Sequence, residues 1–423
     1  MRKSIVVTWI LLFVILLPSC GNLNYLPTLT KDPADSETTP EFTYTHSDDV
    51  PLEFQNNANA HYGFYDNHLY FRTKSILYKI DPQTGLKTTV CPDPVCSHED
   101  ENCKLFSISS AFCVKDGVFY FDKLVMSSAG TEESISSFDF SSTELKSLYD
   151  RAECSRQYVR MMVYDGYIYF YRSYYKEEEG KASEDKIFIS DLVGVNLKSG
   201  KMIDVIVYND SVKDDLIGCE DGYIYLCEPR GGIFRVKAGE ALPEKEYIYS
   251  FEENNLASFY PDRMALSDGY IYYHTTDEDG TSFWKIPTSG GAPEKFASDA
   301  GIQADYCYYT ENHVYYSARS QKKIGICNGD ELFCDVYDIR RVSYDGVCEE
   351  VFRDFPEGYE TFSMTGGYIV VGNYIYTHTA DWGALKEKYV DADYRYDSGF
   401  TGAVARIDIQ TGEVTYVGGW CDK

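Results

Sequence analysis

Asp165-Gly166-Tyr167-Ile168-Tyr169, Asp221-Gly222-Tyr223-Ile224-Tyr225 and Asp268-Gly269-Tyr270-Ile271-Tyr272 are three copies of one stretch, a turn-forming pair followed by an alternating run that ends in tyrosine. Looser copies end at Tyr70 after Asp66-Asn67, Tyr120 after Asp116-Gly117, Tyr315 after Glu311-Asn312 and Tyr376 after Gly372-Asn373. Asp-Gly favours the tight type I′ hairpin, in which both central residues need positive φ. Self-similarity at a spacing of roughly 40–50 residues marks a radial array of small sheets, one copy per sheet.

Each copy has a second half. Tyr78-Lys79-Ile80-Asp81 with Gln83-Thr84-Gly85 matches Ala405-Arg406-Ile407-Asp408 with Gln410-Thr411-Gly412 nearly residue for residue. Intermediate forms occur at Phe138-Asp139-Phe140, Val195-Asn196-Leu197, Phe234-Arg235-Val236, Trp284-Lys285-Ile286 and Arg340-Arg341-Val342. First and second halves alternate, seven of each. The expectation is an all-β chain forming a single seven-bladed β-propeller of four-stranded antiparallel blades, with six or eight blades as the alternative closures. The strand after each Asp-Gly pair is apolar on both faces, as a strand covered on both sides by neighbouring blades must be. With strands A to D running from axis to rim, the A–B and C–D turns share one end of the ring. The long segments, Cys91 to Lys104, Ser173 to Lys186, Gln321 to Phe333 and Thr379 to Gly402, then fall on B–C or D–A connections. Loops on a rigid scaffold carry function disproportionately, so that end is the expected working face.

The blade pattern, Tyr-Ile-Tyr-Tyr on one strand and aromatic-Lys-Ile before a Thr/Ser-Gly turn on the next, resembles the low-density-lipoprotein-receptor-like propeller repeats of uncharacterised bacterial surface lipoproteins. The resemblance covers roughly Asn59 to Val417. It implies fold and surface location and does not specify an activity. The eukaryotic relatives have six blades, so their way of holding ligands is not implied for seven.

Arg2 and Lys3 precede an uncharged run from Ser4 to Leu17, followed by Pro18, Ser19 and Cys20. A basic start, a short apolar stretch and small residues make a secretory signal, and the run is shorter than the ~20 residues of a spanning helix. Leu17-Pro18-Ser19-Cys20 resembles the bacterial lipobox, which implies acylation (palmitate among the chains) at Cys20 and a membrane-anchored protein facing outside the cytoplasm. The other reading is an ordinary signal peptide with a coincidental cysteine. The expected layout is a lipoprotein signal peptide over 1–19, a lipidated flexible tether over 20–55 and the propeller over 56–423. The tether reading rests on Pro27, Pro33, Pro40 and the lack of apolar periodicity. As a coil it spans on the order of 30 Å.

The chain carries 39 Lys+Arg and 67 Asp+Glu, a net charge of −28. Loss of Arg2 and Lys3 with the signal makes this 37 − 67 = −30. Such a polyanion repels phosphate backbones, which argues against nucleic acid as a partner. The 39 tyrosines accord with strand content, because tyrosine suits a pleated, half-buried surface.

Three places can hold chemistry. Cys91, Cys96, His98 and Cys103, within a loop stiffened by Pro92 and Pro94, match the ligand set of a structural Cys₃His zinc site. Disulfides or free thiols are the competing reading, and His98 stands unusually close to Cys96 for metal ligation. Cys113, Cys219 and Cys307 fall on inner strands as small apolar residues. His274 and His378 hold matching positions in the fifth and seventh copies, as ligand contacts or as ordinary polar surface. Trp382, Tyr389, Tyr394 and Tyr396, interleaved with carboxylates in the longest insertion, suit a sugar ring or a cationic peptide, or else form the loop's own core.

No Walker loop, Gly-x-Ser-x-Gly elbow or His-Glu-x-x-His helix occurs in the sequence. The functional expectation is a lipid-anchored binding or scaffold protein for a surface polymer, peptide or protein. The alternatives are a polysaccharide-cleaving propeller with its site at the channel mouth and a purely structural surface module.

Overall fold

The computed structural model describes residues 49, 51–52, 62–73, 76–91, 93, 95–96, 103–105, 108–127, 130–151, 161–176, 187–208, 214–228, 231–251, 264–327, 330–352, 368–379, 403–411 and 413–418. Contacts divide the chain into two units. One comprises Thr43–Ser320 and Asp335–Lys423 and holds the blades; the other comprises Met1–Phe42 and Gln321–Cys334. The described part of the second unit is strand only, the end of one strand and the start of the next in the sixth blade.

Seven four-stranded antiparallel sheets follow one another in chain order. Blade one is β1 (Tyr62–Tyr65), β2 (His68–Thr73), β3 (Ile76–Ile80) and β4 (Lys87–Thr89). Blade two is β5 (Ile108–Lys115), β6 (Val118–Ser127), β7 (Gly130–Asp139) and β8 (Leu145–Arg151). Blade three is β9 (Met161–Tyr164), β10 (Tyr167–Lys176), β11 (Ile187–Asn196) and β12 (Met202–Ile206). Blade four is β13 (Asp215–Glu220), β14 (Tyr223–Glu228), β15 (Gly232–Lys237) and β16 (Glu246–Ser250). Blade five is β17 (Ala265–Ser267), β18 (Tyr270–Asp277), β19 (Gly280–Pro287) and β20 (Glu294–Ala300). Blade six is β21 (Ala304–Tyr309), β22 (His313–Cys327), β23 (Asp330–Ser343) and β24 (Cys348–Phe352). Blade seven is β25 (Tyr368–Val371), β26 (Tyr374–Thr379), β27 (Ala403–Asp408) and β28 (Val414–Gly418). The protein is a seven-bladed β-propeller, as the paired half-repeats require.

The turn chemistry is the one the sequence dictates. Asp116-Gly117, Asp165-Gly166, Asp221-Gly222 and Asp268-Gly269 all have positive φ at both residues, and Asp66-Asn67 does the same without glycine. The second half of each repeat makes the C–D turn. Asp81 Oδ1 accepts from the Gln83 and Thr84 amides at 2.9 and 3.2 Å, and Asp408 repeats this with Gln410 and Thr411 at 2.8 and 3.1 Å. A–B and C–D turns of one blade are tied directly. Leu197, Ala238, Thr288 and Ile409 amides donate to the carbonyls of Gly166, Gly222, Gly269 and Asn373 at 2.8–2.9 Å. That end of the ring is therefore a closed, hydrogen-bonded rim.

The core lies between blades. Ile168 and Phe170 of β10 face blade two, while Tyr169 and Tyr171 of the same strand face blade four; all four are buried. Each such side chain contributes about 1.5–3 kcal/mol on burial. Separate apolar clusters join blades one and two, two and three, three and four, four and five, and five and six. A last cluster spans six, seven and one, with Tyr315, Tyr376, Ile407 and Phe71, so the ring closes.

Among the described residues closure uses no exchanged strand, since blades one and seven each consist of four consecutive strands. Side chains do it instead. Tyr376 Oη donates to Pro82 O at 2.9 Å, Arg406 Nε reaches the same carbonyl at 3.2 Å, and a second Arg406 nitrogen bonds Gln83 O. Residues within the span read as tether join the body: Pro51 makes a bridge with Thr310, and Asp49 is fully buried. Asp49 accepts from Thr310 Oγ1 (3.0 Å) and Tyr315 Oη (2.6 Å), lies 2.8 Å from His313 Nδ1, and its carbonyl accepts from the Gly372 amide of blade seven at 2.7 Å.

Two segments read as irregular are partly strand. β10 continues to Lys176, β22 extends to Cys327 and β23 begins at Asp330. A hairpin adds backbone hydrogen bonds for each residue pair, and Ile324, Ile326 and Phe333 are strand formers, which favours the longer strands.

Candidate functional site

The end opposite the tied rim holds the B–C and D–A connections. The crossing from β4 to β5, residues 90–107, contains the cysteine loop. Cys91, Cys96 and Cys103 bring their sulfur atoms within 4.8 Å of one another, and none of them is in a disulfide. Asp93 shapes the loop: its carboxylate accepts from the Val95 amide at 3.0 Å and its carbonyl from the Cys96 amide at 3.3 Å. Cys103 and Leu105 are buried against Tyr70, Leu77 and Phe112, while Cys91 and Cys96 are half-buried at the edge of that cluster. Burial, with the neighbouring Cys96 and Cys91 thiols, pushes the Cys103 thiol up to about 12. His98, expected beside these three, lies outside the described residues.

His274 sits on β18 opposite Phe283 of β19, its ring centroid 6.4 Å from that of Phe283. It is half-buried beside the apolar interface of blades five and six. His378 occupies the equivalent backbone position on β26, opposite Val404; its side chain lies outside the described residues. Blade six stands between the two, with Ser317 at the corresponding position, so the two histidine positions lie on blades that are not neighbours. Trp382, Tyr389, Tyr394 and Tyr396, and the lipidation candidate Cys20, lie outside the described residues. Cys219 and Cys307 are buried on β13 and β21, as expected of small apolar residues; Cys113 on β5 is half-buried.

One polar cluster was not anticipated. Arg172, midway along β10, bonds buried Asp191 at 2.9 Å and Asp204 at 3.1 Å. Asp191 also accepts from Tyr174 Oη (2.9 Å) and the Tyr208 amide (3.0 Å). In the crossing to blade four, buried Asp214 accepts from Tyr208 Oη at 2.8 Å and pairs with Lys245 at 3.2 Å, and its carbonyl accepts from Tyr171 Oη. Burial pushes the Asp214 carboxyl above its ordinary range and the Tyr208 phenol far above its own. The charge of Arg172 midway along a tyrosine-rich strand was the sequence signal for this network. Its carboxylates are engaged by internal donors and serve to hold the crossing in place.

No protein-family model matches the chain, and no protein of curated function does. Among solved structures, the chain resembles a prolyl endopeptidase studied for inter-domain dynamics in catalysis and specificity, with TM-score 0.51 and 11% identity over 88% of this chain and 50% of that one. An acylaminoacyl peptidase of Pyrococcus horikoshii matches with TM-score 0.47 and 7% identity, over 87% of this chain and 54% of that one. An oligogalacturonate lyase of Vibrio parahaemolyticus matches with TM-score 0.46 and 8% identity, over 80% of this chain and 89% of that one. The chain spans about half the length of the two peptidases. At such identities the first likeness bears on fold alone, and it agrees with the propeller.

Proposed function

We propose that the protein is a lipid-anchored, extracytoplasmic propeller that acts by binding, holding a surface polymer, a peptide or a protein partner on its loop-bearing end. The observation that carries this reading is the asymmetry of the ring. One end is closed by turn-to-turn hydrogen bonds, whereas the other sends out connections as long as 90–107 and 380–402. Rigid rim and built-out loops are the arrangement by which scaffolds present binding residues. The net charge of −28 favours cationic or neutral partners over nucleic acid. Trp382, Tyr389, Tyr394 and Tyr396 are the proposed contacts, His274 on blade five and His378 on blade seven the further candidates, and Cys20 the proposed acylation site at the membrane.

The test is a deletion that the fold tolerates. Thr379 and Ala403 are directly paired, so residues 380–402 leave and return at one point of the sheet and a short Gly-Ser turn can replace them. The variant should keep its unfolding midpoint and lose saturable binding to cell-surface material, with no product formed by the intact protein. Turnover of a glycan by the intact protein would replace this reading with the enzymatic one. For the anchor, Cys20→Ala should release the protein from membranes, and unchanged retention refutes it.

A further inference from the structure

Three thiols, not a pair, converge in the crossing between blades one and two. Cys91 follows β4, Cys103 precedes β5 and Cys96 lies on the turn ordered by Asp93, with all three sulfurs inside 4.8 Å of one another. From this geometry we propose that Cys91, Cys96 and Cys103 form a structural site for a thiophilic divalent metal of the zinc class, bound by three thiolates.

Zinc–sulfur bonds of about 2.3 Å in a tetrahedral site place sulfurs about 3.8 Å apart, inside the observed spread. A disulfide joins two sulfurs at about 2.05 Å and would leave the third at the same point with no role. Simple apolar packing does not gather cysteines either: Cys219 and Cys227, both buried, sit in separate clusters between different blades.

The surroundings suit a closed site. Cys103 is fixed on the core side by Leu105 and Phe112, while Cys91 and Cys96 on the outer side give the ion a path of entry. Binding would displace the thiol protons to solvent, with no redox step. The described residues of this crossing belong to no strand, so the metal would supply the cross-link that a ladder supplies elsewhere. The site is independent of the ligand proposed for the loop-bearing end.

The test uses the full chain, purified and reduced without oxygen, then titrated with zinc and in parallel with cobalt(II). About one metal per chain should bind, with the intense visible bands of tetrahedral cobalt–thiolate coordination. Cys91→Ser and Cys96→Ser should lose the metal while circular dichroism shows the propeller intact; these half-buried positions avoid the unfolding risk of Cys103→Ser. Cys219→Ser should retain it. No uptake by the reduced protein, uptake unchanged in Cys96→Ser, or a disulfide between two of the three in metal-free protein from its native compartment would each overturn the assignment.

Discussion

The tyrosine that ends each repeat is a strut between blades. Tyr169 Oη accepts from the Gly239 amide at 2.9 Å, and Tyr376 Oη donates to Pro82 O, in each case on the C–D turn of the following blade. Tyr70 stacks on Phe140 at 5.2 Å and Tyr272 meets Tyr344 at 4.7 Å, both at the same place in the next blade. The cation of strand C joins in: Arg235 and Arg406 lie 4.1 and 3.6 Å over the rings of Tyr223 and Tyr374. Blade three has Gly194 there, because a Cβ would stand 2.8 Å from the Tyr169 ring. Phenylalanine keeps the apolar part of such a tyrosine and removes the hydrogen bond. Tyr169→Phe and Tyr376→Phe should therefore each cost about 0.5–1.5 kcal/mol in denaturant unfolding, and neutral variants would show that ring packing alone joins the blades. Asp214 gives a pH-dependent counterpart. Burial raises its carboxyl in the folded chain, so the folded state holds that proton more tightly than the unfolded state. Its contribution is thus most favourable at low pH and falls as pH climbs from about 4 through the raised value. The stability of wild type minus Asp214→Asn should fall over that window. A flat or rising difference would mean that the Lys245 pair outweighs burial.

At the scale of elements, what was legible was whatever repeats. Seven Asp-Gly-like turns and seven strand-C motifs gave the blade number, the strand order and the tied rim, because each depends on contacts within about 30 residues of chain. Contacts made once were not legible. Arg172 with Asp191 and Asp204, and the Asp49 contacts to blade six, join residues that share no pattern. The converging sulfurs fall between: their residue types were readable, and their approach to within 4.8 Å came only from the fold. The extension of β22 and β23 was missed since Gln321-Lys322-Lys323 and Gly325 read as a loop. Asp49 shows what a single non-repeating contact carries. Its carboxylate meets Thr310, His313 and Tyr315, and Tyr315 is fully buried. Asp49→Ala leaves the Tyr315 hydroxyl without that acceptor, at a cost of about 1–3 kcal/mol. Removing only residues before Thr43 should leave the unfolding midpoint unchanged, whereas extending the truncation through Leu52 should lower it as Asp49→Ala does. Equal midpoints for all three proteins would dismiss the contact as incidental.

For the molecule as a whole, the mode of closure decides where the ring can be cut. A propeller that completes its last sheet with a strand from the other terminus depends on where its chain starts. In this one every described sheet is made of four consecutive strands, and among the described residues blades seven and one meet through side chains. The gap from β28 back to β1 is then equivalent to the six D–A crossings, which range from residues 301–303 to residues 90–107. Joining Lys423 to Thr43 through a flexible linker would make a seventh crossing and keep Asp49 in place, and a new start opened within residues 253–263 would break none of the described strands. Chains with surface breaks of this kind commonly refold. The permutant should show the circular dichroism of the parent, one unfolding transition and a stability within about 1–2 kcal/mol of it. Adding Tyr376→Phe should cost the permutant less than it costs the parent, because the linker now assists the contact with Pro82. A permutant that is unfolded, or one in which Tyr376→Phe costs more, would show that closure depends on where the chain begins and not on blade-to-blade packing.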